Sequence, residues 1–227
     1  MEPGAGSPFS SLEVRWFFDA DDGDRDTITS WFGEHSPFTR SDDVGAVEWA
    51  GRKGDEPDSY LLLPGCEDMG IKWREGTLQI KGLVSEAGRG SYGGHHLGRV
   101  QRWIKWTYAN APAALRSLFL DGGNDDRIIV PVSKKRAVRL VEIHAAGKYT
   151  EVPSSRWIRQ GVAFEMTNLQ VGGELFFTIA FEAFPDSDSL RAHFDRVVDG
   201  FLKGLEAPHL DLARSLSYPA WLNGRLA

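Results

Sequence analysis

The stretch Ile71-Lys72-Trp73-Arg74-Glu75-Gly76-Thr77-Leu78-Gln79-Ile80-Lys81 constrains the fold most. Glu75-Gly76 separates two alternating runs, and alternation on both sides of a tight turn is the signature of an antiparallel hairpin. Successive side chains of a strand point to opposite faces, so Lys72 and Arg74 share one face of the first arm and Ile71 and Trp73 the other. In the second arm Gln79 and Lys81 oppose Leu78 and Ile80. One face of this hairpin must be packed, and the other is basic.

The same alternation recurs along the chain. Leu12, Val14, Trp16 and Phe18 oppose Glu13, Arg15 and Phe17. Further strands are predicted at 44–50, 59–63, 97–108 (through Arg99, Arg102 and Lys105) and 128–143 (through Lys134, Lys135, Arg136, Arg139 and Glu142). A last hairpin, 162–167 and 175–184, turns at Val171-Gly172-Gly173 and carries Glu165 and Glu182 amid apolar residues. The glycine-rich run from Ala87 to Gly94, ending at His95-His96, reads as a flexible loop.

Helices are fewer. After the acidic turn from Asp19 to Asp24, Asp26 caps a short helix carrying Ile28, Trp31 and Phe32, which Gly33 closes. Asn110-Ala111-Pro112 opens another, which Gly122-Gly123 stops. From Leu190 the period becomes helical, with Phe194, Val197, Val198, Phe201 and Leu202 on one stripe. A short terminal helix is expected at 210–216. Eight or nine strands at this spacing predict a mainly β (α+β) domain spanning 1–227. Its form would be an antiparallel barrel over about 12–184, with peripheral helices and a C-terminal helical segment over about 188–222.

Composition narrows the function. A net charge of −6 argues against a general nucleic-acid binder, which carries a basic excess, yet it permits a local cationic cavity. Cys66 is the lone cysteine, so neither a disulfide framework nor a thiolate metal site is available, and a reducing, cytoplasmic setting is expected. No apolar run opens the chain as a signal peptide would, and none is long enough to span a bilayer as a helix.

The basic alternate positions can be a solvated outer face, since antiparallel sheets often show one face to water. They can also line a closed barrel, where low-dielectric walls focus the field and trap an anion. A barrel for an apolar ligand, with Trp73, Trp103, Trp106 and Trp157 inside and the cations outside, is a different reading. A non-catalytic interaction protein docking through a surface such as Tyr218 to Leu222 is a third. His95-His96 makes a poor metal pair, because neighbours on a strand face opposite ways. Gly88-x-Gly90-x-x-Gly93 fits a dinucleotide-binding string but lacks the strand-to-helix context that such a site needs.

Several segments together resemble the CYTH, or triphosphate tunnel, superfamily, which includes class IV adenylyl cyclases, thiamine triphosphatases and inorganic triphosphatases. Asp58-Ser59-Tyr60-Leu61 is similar to its D-x-Y strand. Ile71-Lys72-Trp73-Arg74 is similar to its L-R-x-R strand, and Leu78-Gln79-Ile80-Lys81 to the strand ending in Lys. Lys134-Lys135-Arg136 with Arg139 looks like its K-x-R strand, and Phe164-Glu165-Met166 with Ala180-Phe181-Glu182 like its acidic closing hairpin.

The resemblance implies a tunnel that binds a small phosphate-rich anion: a triphosphate, a nucleotide or an organic polyphosphate. Arg15, Lys72, Arg74, Lys81, Lys105, Lys134, Arg136 and Arg139 would hold the anion. Glu13, Glu165 and Glu182 would hold Mg²⁺ or Mn²⁺. One departure weakens the catalytic half of that expectation. The family opens with E-x-E-x-K, whereas this chain reads Glu13-Val14-Arg15-Trp16-Phe17, with Arg15 in place of a carboxylate and Phe17 in place of the lysine. Phosphoryl chemistry on divalent metal needs clustered carboxylates, so binding without turnover is favoured, while hydrolysis by a divalent-metal-dependent triphosphate hydrolase or related phosphoryl-transfer enzyme stays open.

Overall fold

The computed structural model describes all residues except 1–7, 21, 23–24, 52–55, 121–127, 188, 207 and 227. The start of the chain, part of the acidic turn after Asp19, and the Gly122-Gly123 helix stop lie outside the described residues. The strands are β1 (Phe9–Asp19), β2 (Thr39–Arg40), β3 (Asp58–Leu61), β4 (Met69–Arg74), β5 (Thr77–Tyr92), β6 (His96–Tyr108), β7 (Ile129–Ile143), β8 (Tyr149–Val152), β9 (Gly161–Val171) and β10 (Glu174–Phe184). The helices are α1 (Arg25–Glu34), α2 (Ala113–Leu120), α3 (Leu190–Leu202) and α4 (Tyr218–Leu226).

The strand order β3-β4-β5-β6-β1-β10-β9 is closed by β7, which pairs with both β9 and β3. The result is an eight-stranded antiparallel barrel, with β8 and β2 added beyond the far part of β7. Closure follows from the length of β7. Its residues 132–142 pair with β9 along one edge, while 129–132 of the other edge pair with β3.

Period-2 alternation then sorts every strand. Outward residues Val14, Trp16, Phe164, Phe177 and Phe181 are buried with Phe32 of α1 and Phe194 and Phe201 of α3 in the largest core. α2 covers the outside of the basic hairpin, with Phe119 packed among Trp73, Leu78, Ile71 and Ile80. The turn between β4 and β5 places Glu75 at φ +47° and Gly76 at φ +75°, the double left-handed step that lets a two-residue turn follow strand twist. No helix among the described residues is long and apolar enough to cross a membrane.

Three expectations are corrected. The run after Ala87 is paired strand, because β5 and β6 form one long hairpin interrupted by register shifts and turning at Gly93-Gly94. Gly90 is needed there because a Cβ would lie 2.0 Å from the Tyr92 hydroxyl. The strand predicted at 44–50 is reduced to one bridge, Ala50 to Arg136. β3 and β8 pair with this edge of β7 at 129–132 and 140–143, and Ala50 meets it between them at Arg136.

The terminal helix begins at Tyr218, beyond the predicted 210–216. Pairing of β1 with β6 stops at Glu13, and Arg214 and Ser215 serve strand groups left over. Phe17 N–H donates to Arg214 O at 3.0 Å, and Arg99 N–H to Ser215 Oγ at 2.8 Å. Buried backbone groups must be paired, so this segment is held as a turn over 212–214 and a bridge at Ser215 in place of the helix that its local pattern suggests.

Candidate functional site: a one-ended basic cavity

The inward positions divide the barrel lumen into two parts. At one end Phe17, Tyr60, Val130, Val132, Leu169, Val171 and Phe176 pack with Trp221 and Leu222 of α4. Trp221 stacks on Phe17 with ring centroids 4.6 Å apart and meets Phe176 edge-on at 5.0 Å. α4 thereby plugs the lumen. Beyond the plug lies a cavity of about 390 Å³, within the size range of small-molecule sites.

Seven cationic side chains line it: Arg15 from β1, Lys72 and Arg74 from β4, Lys81 from β5, Lys105 from β6, and Lys134 and Arg136 from β7. Four carboxylates share the lining, Glu13, Glu75, Glu165 and Glu182, and Asp58 lies fully buried in the wall. Cations therefore exceed carboxylates by two among these groups.

Three clusters organise the charges. In the first, Asp58 of β3 accepts Lys72 Nζ at 3.0 Å and the Arg74 guanidinium at 3.0 and 2.7 Å, with Lys134 Nζ 3.6 Å away. Burial works to raise the Asp58 pKa, but Lys72, Arg74 and Lys134 together hold it far below the usual carboxylate range. Burial and then repulsion from Arg74 push Lys72 down to about 7, against the pull of Asp58.

In the second cluster Glu165 accepts Arg15 Nη1 at 3.1 Å, Arg136 Nη1 at 3.2 Å and Thr167 Oγ1 at 2.9 Å. Arg15 also donates to Thr178 Oγ1 at 2.9 Å and lies over the Tyr218 ring. Desolvation of Glu165 is outweighed by Arg15 and Arg136, so it stays ionised well below the normal range.

The third cluster pairs Glu13 with Glu182 directly across β1 and β10. Glu13 also accepts Lys81 Nζ, and Ser11 Oγ at 2.6 Å. Burial opposes ionisation of Glu13, but Lys81 prevails and lowers its pKa. Burial and the neighbouring Glu13 raise that of Glu182. Like charges this close favour one shared proton.

All the sequence-predicted site residues except Arg139 thus meet in one cavity. Arg139 is a correction. Counting by twos along β7 from Lys134 and Arg136 puts Arg139 on the outer face. There it is buried in a two-pronged pair with Glu151 at 2.9 and 2.7 Å and donates to the carbonyls of Phe32 and His35. It ties the end of α1 to β7 and β8.

The carboxylate trio also separates. Glu13 and Glu182 sit at one level of the lumen, while Glu165 sits one inward step away, opposite Ala180 and bonded to Arg15. No cluster of three or more His, Cys, Asp or Glu residues suited to a metal ion occurs among the described residues. The three glutamates do not fit a common divalent ion.

The aromatic set predicted for an apolar ligand is scattered. Trp103 lines the cavity, Trp73 packs outside under α2, and Trp157 is largely exposed. His96 is no metal ligand in waiting. It is buried with Nε2 2.9 Å from Leu205 O and Nδ1 accepting the Leu210 N–H, and it anchors the chain leaving α3.

Sequence reasoning missed Asp58 as an organiser of cations, although its inward register with Tyr60 was readable. It also missed Tyr218, which reaches the cavity only through the fold.

No known family's model matches the chain, and no curated protein matches it. A solved structure described as a conserved hypothetical protein from Pyrococcus furiosus is similar over 84% of this chain and 90% of its own, at 14% identity and a TM-score of 0.36. A likeness this slight supports no conclusion about the lumen.

Proposed function

We propose that the barrel binds a small phosphate-rich anion, a triphosphate, nucleotide or organic polyphosphate, and holds it without turnover. The observation that carries this reading is the convergence of seven cationic side chains from five strands on one cavity closed at its far end by apolar packing. Three of them are guanidiniums, whose charge is permanent and whose planar donor fork suits phosphate oxygens. The wall is low in dielectric, so each cation acts over a longer reach than on an open surface. The motif order similar to that of the CYTH superfamily agrees with such a ligand.

Arg15 supports the non-catalytic half. It projects a fixed positive charge into the lumen between Glu165 and Thr178, at the strand position where that superfamily carries a metal-holding carboxylate. Part of the charge neutralisation a divalent ion would supply falls to this guanidinium. Glu165, committed to Arg15 and Arg136, is a poor candidate for Mg²⁺ or Mn²⁺.

A thermal-shift panel with tripolyphosphate, ATP, thiamine phosphates and fatty acids, each with and without Mg²⁺ or Mn²⁺, tests the reading. Tripolyphosphate should stabilise the protein without added metal, and phosphate release should stay at background. Metal-dependent phosphate release that is lost in Glu182→Gln would restore the enzyme. Stabilisation by fatty acids alone would favour the apolar-ligand barrel.

A further inference from the structure

Lys134 differs in its surroundings from every other cation of the cavity. Its Nζ lies 2.7 Å from the Tyr60 hydroxyl and 3.8 Å from the centroid of the Tyr218 ring, with the Tyr60 ring centroid at 4.8 Å. The two rings stack at 5.9 Å, so the amine sits beside an aromatic pair on the cavity floor. Its side chain is 10% exposed and opens onto the cavity. Lys72 has an ionised partner at 3.0 Å, whereas Lys134 is 3.6 Å from the same Asp58 oxygen, and its nearest polar neighbour is a neutral phenol.

We propose that Lys134 is a carbonyl-capturing amine, which forms an imine with a small aldehyde or ketone that also bears a phosphate. The phosphate part rests on the anion-binding reading above, and the amine part does not.

An amine is nucleophilic only when neutral, and crowding by other cations in a desolvated site is a recognised way to make it so. Burial and the charges of Lys72, Arg74 and Arg15 depress the Lys134 pKa well below the lysine range, and Asp58 only partly opposes them. Guanidinium charges at Arg15, Arg74 and Arg136 remain to hold the phosphate, so binding does not need a charged Lys134.

The Nζ lone pair bonds to the carbonyl carbon while the carbonyl π pair moves to oxygen. One amine proton passes to that oxygen through the Tyr60 hydroxyl, giving a carbinolamine. The oxygen then leaves as water with a second proton as the C=N bond forms. Amine and carbonyl become imine and one water, with no oxidant or reductant.

Pyridoxal phosphate, an aldehyde carrying a phosphate, is a direct probe. The full chain is incubated with it near neutral pH, reduced with borohydride, and mapped by peptide mass spectrometry. Pyridoxal serves as the phosphate-free counterpart and tripolyphosphate as the competitor. The reduced adduct should lie on Lys134 in about tenfold excess over any other lysine. It should form more slowly with pyridoxal and be suppressed by tripolyphosphate. Tyr60→Phe, which keeps the ring, should slow its formation.

An adduct spread over exposed lysines with no excess at Lys134, or one centred on Lys72, overturns the amine even if tripolyphosphate stabilises the fold. A selective Lys134 adduct that forms equally fast with pyridoxal and is not suppressed by tripolyphosphate upholds the amine and overturns the anion reading alone. Mapping the natural chain decides between these outcomes even if Lys134→Arg does not fold.

Discussion

On β1 the inward residue Arg15 is charged and the next inward residue, Phe17, is an aromatic ring in the plug. On β7 Lys134 gives way to Val132, on β9 Thr167 to Leu169, and on β10 Thr178 to Phe176. The two ends of the lumen are thus built by the same strands from residues two apart, yet one end is dry and the other holds three charge clusters. What differs is the filling. Trp221 and Leu222 enter one end and pack against its apolar side chains, where an unpaired charge would be costly. At the charged end α4 contributes Tyr218 and Pro219 to the lining without filling it, and the remaining space and mutual pairing permit charges. Inward alternation specifies which side chains face the lumen, and the C-terminal segment decides what the lumen is.

The largest effects should come from breaking the dry regions. Trp221→Ala removes a ring that is 4% exposed and stacked on Phe17. It should cost about 3–5 kcal/mol in urea unfolding, with tripolyphosphate affinity little changed. A parallel loss of affinity would show that the two ends are not independent, because the plug would then also position Tyr218 and Arg15.

Arg136 and Arg139 sharpen the contrast between lumen and exterior on one strand. Arg139→Ala strands Glu151 and two carbonyls in a buried site and should cost about 3–5 kcal/mol of stability, without altering tripolyphosphate binding. Arg136 is half exposed and holds one bond to Glu165. Arg136→Ala should barely move the denaturation midpoint but weaken tripolyphosphate binding by about 1.5–3 kcal/mol, read by titration calorimetry. Reversed effects would mean that the inward register of β7 is wrong.

A pH dependence belongs to the charged end alone. Lys72 is depressed to about 7 in the folded chain by burial, next by Arg74, while in the unfolded chain it keeps the ordinary lysine value. Between those two values the unfolded chain binds more protons, so stability of the free protein should rise as pH increases from about 7 toward about 10. An anion favours the charged amine, so affinity should fall across the same window, by at most about tenfold per pH unit for one proton taken up. Calorimetry in buffers of different ionisation enthalpy measures that uptake, and Lys72→Met should abolish it. Proton release on binding would contradict the assignment.

Much of the charged end was legible because strand alternation is a local rule. The registers of Lys72, Arg74, Lys81, Glu13 and Arg15 follow from counting by twos inside single strands, and the structure places them all in the cavity. The same count excludes Arg139, which the motif resemblance had drawn into the site. The helix of 190–202 was readable for the same reason, since its apolar stripe has the helical period and nothing competes with it.

The sequence by itself determined which residues share a face, where the chain turns at Glu75-Gly76, and that one face of several strands is basic. Tertiary structure alone decided that this face is the inside of a closed barrel, because closure depends on β7 meeting both β3 and β9. It also decided that Glu165 belongs to Arg15 and not with Glu13 and Glu182, which depends on the relative register of three strands. Segment 210–216 was settled by which backbone groups of β1 and β6 remained unpaired, a condition set by distant strands and invisible to local propensity. Local periodicity is written in neighbouring residues, whereas enclosure and charge pairing arise between residues far apart in the chain, and only packing brings them together.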